Sequence, residues 1–147
     1  MKEDLKLSGE VTLVLKDSNG NVKQTQTIKN LVVNAGLNFI TSRMQNTSKG
    51  IMSHMGLGSG TVAAAAGDTD LGSLLGSREA LDTDVVSANV LTYVCTFEAG
   101  DATGAVTEAG IFNAASGGDM LCRTVFSAVN KAASDSLAIT WVVTLSV

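Results

Sequence analysis

The sequence predicts an all-β protein with one short helix, folded as an antiparallel, jelly-roll-like β-sandwich. From Leu137 to Val147, large apolar residues alternate strictly with smaller or polar ones, which is the pattern of a strand with one buried face. Several other runs of five to twelve residues have β-branched or alternating character, and Gly, Asn, Asp and Ser clusters separate them. Helical spacing is clear in one stretch, residues 34–45. These observations together favour short antiparallel strands in two packed sheets.

Length and composition place this fold in a single domain. The chain has 147 residues, 45% of them hydrophobic but only 4% aromatic, so Val, Leu, Ile and Ala must build the core. We expect one β-sandwich domain over residues 1–147, with residues 1–6 as a flexible N-terminal arm. No stretch approaches the roughly 18 apolar residues of a membrane helix, and the N-terminus lacks a signal-peptide core. A cytoplasmic site of synthesis without membrane contact is therefore expected.

The first strands are predicted from alternation and a turn signal. Leu7–Leu15 alternates with its odd-numbered residues inward, and Asn19-Gly20 is a strong hairpin signal. The returning strand, Val22–Val33, begins polar and ends apolar. Its polar half is expected to lie at an exposed edge of the sheet.

A short amphipathic helix is predicted next, from Asn34 or Gly36 to about Gln45, with Asn34 as its N-cap. The apolar run Ile51–Gly58 follows and is expected to be a central strand. Residues 61–81 are then expected to form an irregular connection of about 20 residues, in which Asp68 and Thr69 cap a single helical turn.

Five further predicted strands complete an expected total of seven or eight. Two of them are Glu79–Val86 and Asn89–Phe97. The last third of the chain contains a hairpin around residues 115–119, followed by the C-terminal strand, and we expect three antiparallel strands there. A loop centred near Ala115 and Ser116 would place Glu108 opposite Arg123, so these two residues are predicted to form an ion pair.

The charges are unevenly distributed along the chain. Residues 1–49 contain seven basic and four acidic side chains, whereas the remainder contains three basic and ten acidic ones. This asymmetry is compatible with an electrostatic contact with a partner or with an ordinary solvated surface. Because the basic residues are dispersed among acids and lack interleaved aromatics, nucleic acid is a poor candidate partner.

Glycine and histidine patterns do not indicate catalysis. His54, the only histidine, lies in an apolar strand without ligand-spaced partners, which favours a structural role. The sequence Gly56-Leu57-Gly58-Ser59-Gly60 lacks the Lys-Ser/Thr pair of a phosphate-binding loop. A tight turn at the end of a strand is therefore the preferred interpretation.

The acidic and cysteine residues also favour structural explanations. Asp68 and Asp70 lack the remaining ligands of a calcium loop, so a helix cap is preferred. Glu79, Asp82 and Asp84 resemble paired hydrolase carboxylates only in type, and an exposed strand explains their alternation. Cys95 and Cys122 are each expected to be buried free thiols. The sequence predicts no enzyme activity, no metal site and no cofactor.

Four segments, spread over residues 28–147, carry a resemblance to small structural proteins of tailed-bacteriophage virions. They are NLVVNAGLNFI, MGLGSGTVAAAAGDTDLGSLLGSREA, VTEAGIFNAASGGDMLCRTVF and SLAITWVVTLSV. They resemble a family order of short helix, Gly-x-Gly strand end, D-T-x-L turn followed by Arg, E-x-G-[IL]-F strand and apolar C-terminal strand. The most specific part is Glu108–Phe112 with Arg123.

The resemblance implies a non-enzymatic virion component, with two alternatives. The first is a capsid decoration (cement) protein that binds the major capsid protein on the virion surface after assembly in the host cytoplasm. The second is a tail-fibre or baseplate module that binds a host receptor or another tail protein. A chain without fibre-like repeats favours decoration.

Two contact surfaces are expected for the decoration protein. The capsid contact is predicted at the N-terminal segment and the first edge strand, with the basic residues Lys2, Lys6, Lys23 and Lys29 meeting an acidic shell. A homo-oligomer, specifically a trimer by resemblance, is predicted because the segment 61–75 is apolar but rich in glycine. Its expected interface residues are Ala63, Ala64, Ala65, Leu71, Leu74 and Leu75. Burial of this segment against the subunit's own sandwich is the alternative.

Overall fold

The computed structural model describes residues 3–46 and 48–147 and shows the predicted β-sandwich, made of two five-stranded antiparallel sheets. The first sheet has the strand order β2-β1-β10-β7-β6, and the second has the order β3-β9-β8-β4-β5. The elements are β1 (Lys6–Lys16), β2 (Val22–Lys29), β3 (Leu31–Val32), α1 (Asn34–Arg43), β4 (His54–Gly58), β5 (Glu79–Ala80), β6 (Thr83–Ser87), β7 (Val90–Phe97), β8 (Gly104–Phe112), β9 (Met120–Lys131) and β10 (Ser136–Ser146).

The first and last strands form the centre of the first sheet. β1 and β10 pair without interruption from Lys6 opposite Ser146 to Lys16 opposite Ser136. The predicted alternation of β10 is confirmed, because its odd-numbered residues from Leu137 to Val143 are buried and the intervening ones are half-buried. Trp141 is fully buried between the sheets, where its large apolar surface contributes strongly to stability.

The last third of the chain is divided between the two sheets. β8 and β9 form a hairpin in the second sheet, with register shifts near each end, whereas β10 crosses to the first sheet. The three expected strands are therefore present, but only two of them pair with each other. The core between the sheets includes Ala109, Ile111 and Cys122 from the hairpin and Ile139 from β10.

Two segments predicted as single strands are each divided between the sheets. Val22–Val33 becomes β2 in the first sheet and β3 in the second, and Glu79–Val86 becomes β5 in the second and β6 in the first. The first crossing is at Asn30, whose side chain occupies the space above Gly9 that a Cβ atom would fill. A strand that leaves one sheet for the other must break its ladder, so ten strands are seen instead of seven or eight.

The helix lies where the sequence predicts it, but its N-cap residue differs from the prediction. Val33 is the N-cap residue, and no side chain caps the helix there, so Asn34 is the first helical residue instead of the cap. Gly36 and Phe39 are buried. A Cβ atom at Gly36 would collide with the backbone carbonyl group of Leu121, so glycine permits close packing of the helix on β9.

Candidate functional site

The connection from β4 to β5, residues 59–78, lies as a flap over the outer face of the second sheet. Its backbone is tied to β4 by a hydrogen bond from Leu75 N to Leu57 O of 2.8 Å and to itself by one from Ser59 N to Ser73 O of 2.8 Å. The Leu71 side chain packs over two strand glycines, Gly56 and Gly110. The flap therefore covers β4 and β8, and glycines in these strands make the space for it.

Glu108 of β8 is the residue around which the flap closes. Its side chain is fully buried. Oε1 accepts hydrogen bonds from Gly60 N at 2.9 Å and Ser73 N at 2.7 Å, and Oε2 accepts one from Gly72 N at 2.9 Å. Three backbone amides from two parts of the flap thus converge on one carboxylate, which links the start and the end of the flap to the sheet.

Arg123 of β9 completes this cluster. Its Nε and Nη2 atoms donate to Glu108 Oε2 at 3.0 and 2.8 Å. Nη1 donates to Asp68 Oδ2 at 2.8 Å, and Nη2 also donates to Val62 O at 3.0 Å. With 3% of its surface exposed, Arg123 is a buried cation whose charge is compensated by two carboxylates.

The structure brings the predicted pair together in a different register from the one expected. Gly110 lies opposite Arg123, and Val125 lies opposite Glu108, so the two charged residues are diagonal neighbours on one face. The loop centre inferred from sequence was wrong by about one residue, because shifts in the β8–β9 ladder near Phe112 change the register. The long arginine side chain spans the diagonal, and Gly110 leaves the path open.

The hydrogen bonds determine the ionisation of both acids in the cluster. Burial by itself raises the pKa of Glu108, but the amides of Gly72 and Ser73 and the Arg123 guanidinium outweigh burial and lower it overall. The Ala65 amide, with a smaller contribution from Arg123, lowers the pKa of Asp68. Both carboxylates are therefore held as anions. Asp68 binds the Ala65 amide and Arg123 in a segment that contains no helical turn, so the expected helix cap was wrong.

A second arginine fixes the other end of the flap. The Arg78 guanidinium stacks 3.4 Å from the centroid of the Phe112 ring. Its Nη1 atom donates to Ala114 O at 2.9 Å and Gly117 O at 2.8 Å, and Nη2 contacts Asp70 at 3.3 Å. Arg78 thus joins the flap to the loop between β8 and β9. Sequence reasoning did not assign it a role, although the arginine after the D-T-x-L turn was part of the resemblance.

The flap presents a mixed surface to solvent. Of the six residues predicted for an oligomer interface, Ala63, Ala65 and Leu74 are exposed, whereas Ala64, Leu71 and Leu75 are half-buried against the same chain. Val62, which was not predicted, is 78% exposed. The intramolecular burial that the sequence left as an alternative thus accounts for part of this segment, and a smaller apolar surface remains.

The lysines predicted to contact the capsid do not form one patch. Lys6 is exposed at one end of β1. At the other end of the first sheet, Lys23 binds the buried Asp135 at 2.7 Å. Lys29 is exposed at the far end of β2, and Lys2 lies outside the described residues. Because β1 is extended, it separates Lys6 from Lys23 by roughly 30 Å, so these two lysines lie at opposite ends of the first sheet.

The remaining polar candidates occupy structural positions. His54 is half-buried, and its Nδ1 atom lies 2.8 Å from Ser53 Oγ. Cys95 and Cys122 are buried free thiols, and burial raises the pKa of Cys95 to about 12. Across the described ranges, no cluster of three or more His, Cys, Asp or Glu residues has a metal-binding arrangement.

Two glycines of the sequence Gly56-Leu57-Gly58-Ser59-Gly60 leave the space that the buried Glu108 side chain occupies. Cβ atoms at Gly58 and Gly60 would collide with the Glu108 carboxylate. The preferred tight-turn interpretation did not identify this steric reason. A sequence signal was available, since alternate glycines in a strand often mark the close approach of another group.

The fold and the site define a β-sandwich whose second sheet carries a flap clamped by buried charges. Comparisons with protein-family models, curated proteins and solved structures found no match. In the part of the chain that the structure describes, no helix has the length and apolar character needed to cross a membrane.

Proposed function

We propose that this chain is a non-enzymatic structural protein of tailed-bacteriophage virions, acting as a capsid decoration protein that binds and stabilises the major capsid shell. The observation that carries the proposal is the flap clamped by Glu108 and Arg123. These two residues lie in the segments that most specifically resemble virion structural proteins. A cover held by buried charges and backbone amides supplies a preorganised binding surface, which loses little conformational entropy on docking.

The N-terminal segment is the proposed contact with the shell. Residues 3–5 are exposed and precede the first sheet, and they include an apolar residue, Leu5, next to Lys6, the exposed first residue of β1. Lys2 is a second basic residue of the same arm, which also contains Glu3 and Asp4. Such an arm can add an apolar anchor and the ammonium groups of its two lysines to a groove on an acidic shell.

Binding to capsids stripped of their decoration protein tests this contact. Removal of residues 1–6 is expected to abolish co-sedimentation, and Lys6→Glu is expected to weaken it. Lys16→Glu, at the opposite end of β1, is the matched control and should bind as the unaltered chain does. Full binding by the truncated protein would place the contact elsewhere.

Immunogold labelling of virions tests the location of the protein. Gold distributed over the head is expected for a decoration protein. Gold at the tail alone would exclude decoration and support the tail-fibre or baseplate alternative.

A homotrimer is the proposed assembly, with the exposed flap residues as one candidate interface. Ala63, Ala65 and Leu74 lie on the flap with Val62, and their small or apolar side chains permit close approach of copies around an axis. Sedimentation equilibrium should show a species of three chains. A mass of one chain at every concentration would contradict the trimer for the free protein.

A further inference from the structure

β6 is an exposed edge strand of the first sheet, with β7 as its single neighbour. All five of its residues are exposed, and its two valines, Val85 and Val86, are 58% and 69% exposed. The strand contains one charged residue, Asp84, and neither proline nor glycine. An edge of this kind is a template for another strand, because it lacks the residues that usually block pairing.

The turn after β6 determines which backbone groups of the strand face the free edge. Ser87 lies opposite Val90 across a two-residue turn, in which Ala88 has a φ of 53°. In such a hairpin the pair that flanks the turn exchanges both hydrogen bonds, and every second pair beyond it does the same. The odd-numbered residues of β6 therefore bond to β7, whereas the N–H and C=O groups of Asp84 and Val86 point to the free edge.

The side chains of the same two residues lie on the inner face of the sheet. Asp84 lies opposite the buried Tyr93, so Asp84 and Val86 both project to the inner side. They line an open cleft of about 230 Å³, and the residues lining it also include Arg43 of α1 and the exposed Ile51. The cleft therefore combines apolar walls with one basic and one acidic side chain.

We propose that β6 pairs antiparallel with β6 of a second copy about a two-fold axis at Val85, forming a symmetric dimer. In this register, the outward N–H and C=O groups of Asp84 on one copy meet those of Val86 on the other. Val85 then faces its own symmetry mate across the axis. The first sheets of the two copies continue into one sheet, with both inner faces on the same side.

The charges of the cleft favour this register. Asp84 of one copy stands opposite Val86 of the other, beside the cleft that Arg43 also lines. In the described part of the chain, neither Arg43 nor Asp84 forms an ion pair. Arg43 donates one hydrogen bond to Lys49 O, which leaves other guanidinium N–H groups for the partner's carboxylate.

Repulsion between the two copies of Asp84 is weaker than this attraction. The two carboxylates are diagonal neighbours, with their strand positions roughly 7–8 Å apart, whereas each lies beside a guanidinium of the other copy. Two arginines and two aspartates meet around the axis, so the cluster carries no net charge. Opposite charges on one surface thus become complementary when that surface meets itself.

The dimer covers apolar side chains that are exposed in the single chain, namely Val85, Val86 and Ile51. A five-residue edge with one cleft wall is small for a specific interface, below roughly 1,200 Å² in total, so association in the micromolar range is expected. The contact uses neither a flap residue nor the N-terminal arm. It can therefore fail while the proposed function holds, and the reverse is equally true.

Disulfide trapping tests the register. Directly opposed residues of a non-hydrogen-bonded pair have Cα atoms about 4.5 Å apart, within the span of a disulfide. Val85→Cys should therefore form a covalent dimer under mild oxidation at micromolar concentration, seen by non-reducing electrophoresis. Thr83→Cys is the matched control, because it is exposed on the same strand but lies roughly 14 Å from its symmetry mate along the strand. It should cross-link at least about tenfold more slowly, and the native Cys95 and Cys122 are buried.

Exchange of the two charges within one chain tests the pairing across the axis. Arg43→Asp and Asp84→Arg should each weaken association at least about tenfold in sedimentation velocity, because like charges then share the cleft. The variant with both substitutions should recover association, since the exchanged pair is again complementary. Lys16→Asp and Glu10→Arg are the matched controls, because they change the same charges at exposed positions of β1. Both should associate as the unaltered chain does.

Val86→Pro tests the hydrogen bonds between copies. Because the Val86 N–H faces the free edge, proline removes a donor that the single chain does not use, so this variant should fold but stay monomeric. Circular dichroism verifies the fold of each variant, and if this one does not fold, trapping and charge exchange still decide. An unaltered chain that stays monomeric to millimolar concentration, equal cross-linking of the two cysteine variants, a folded Val86→Pro that associates normally, or a charge exchange that recovers nothing would each overturn the proposal.

Discussion

The outer faces of the two sheets differ in how they meet water: the first is open to solvent, and the second is covered by the flap. On the first sheet, the outward residues of the central strands are mostly Thr and Val, half-buried by their neighbours, with no further layer over them among the described residues. On the second sheet, the outward positions include Gly58, Glu108, Gly110 and Arg123, and all four are buried beneath the flap. One face is acceptable to water as it stands, whereas the other requires a cover.

The difference shows how a carboxylate and a guanidinium can be buried in a small domain. Glu108 and Arg123 would be costly in an apolar interior without partners, but every polar group they present meets a flap amide, a flap carbonyl or an opposite charge. Glycine at neighbouring strand positions lets the flap approach closely enough to supply these partners. On this face, the buried charges, the strand glycines and the flap therefore depend on one another.

Of the substitutions that test this comparison, removal of the Arg123 side chain should lower the stability most. Arg123→Ala leaves Glu108 as a buried anion without its cation and also detaches Asp68, so we expect a loss of about 3–5 kcal/mol in the free energy of unfolding. Urea denaturation measures this loss in the free energy of unfolding. The exposed pair between Lys49 and Asp119 is the control, and Lys49→Ala should cost less than about 1 kcal/mol. Equal losses in the two variants would contradict the role assigned to the cover.

A methyl group added beneath the flap should have the next largest effect. A Cβ atom at Gly58 would approach Ser73 O to 2.5 Å and collide with the Glu108 carboxylate, so Gly58→Ala should cost about 1–3 kcal/mol. Gly67 lies on the same flap with no atom near its Cβ position. Gly67→Ala should therefore be neutral or stabilise by up to about 1 kcal/mol, through the unfolded chain. A crystal structure of Gly58→Ala with an unmoved flap would refute the steric explanation.

Acid should loosen the clamped face through its two carboxylates. Because the pKa values of Glu108 and Asp68 are lowered in the folded protein, their stabilisation is complete above their ordinary values of 4.5 and 3.8 and is lost as the pH falls through the lower folded values. Below about pH 4.5, the free energy of unfolding should fall with a slope of up to about 1.4 kcal/mol per pH unit for each proton. Urea denaturation as a function of pH measures this slope.

Glu108→Gln provides the control for this pH dependence. The substitution keeps the shape of the side chain but removes the titrating group, so the slope in acid should become shallower. A slope identical to that of the unaltered protein would assign the acid sensitivity to other carboxylates.

The smallest expected change in stability comes from removing a threonine hydroxyl. The loss should be larger for a threonine that joins the two sheets than for one on the open face of the first sheet. Thr124 is buried on β9, and its hydroxyl donates to Lys29 O on β2 at 3.2 Å, so Thr124→Val should cost about 0.5–1.5 kcal/mol. Thr140 is half-buried on the outer face of β10, and Thr140→Val should change stability by less than about 0.5 kcal/mol. Thermal denaturation of both variants compares them, and a larger loss for Thr140→Val would mean that the first sheet is covered as well.

Local sequence determined which segments form strands and where the helix lies. The alternation of β1 and β10, the Asn-Gly turn after β1 and the place of the helix in the chain are local preferences that the tertiary structure preserves. The buried face of the helix is not among them, because Leu37 and Met44, expected on it, are exposed. Each of these signals arises from residues within a few positions of one another, where side-chain periodicity alone decides which face is buried.

Tertiary structure decided where strands change sheet, which residues the charged pair recruits and what the glycines are for. The division at Asn30, the diagonal register of Glu108 and Arg123 and the recruitment of Asp68 depend on elements far apart in the chain. The sequence predicted an ion pair between Glu108 and Arg123 and a helix cap at Asp68. Asp68 instead binds Arg123, because the flap folds back over the hairpin. Local periodicity reports a buried face, whereas the partner of a buried charge is set by a long-range approach that no local pattern encodes.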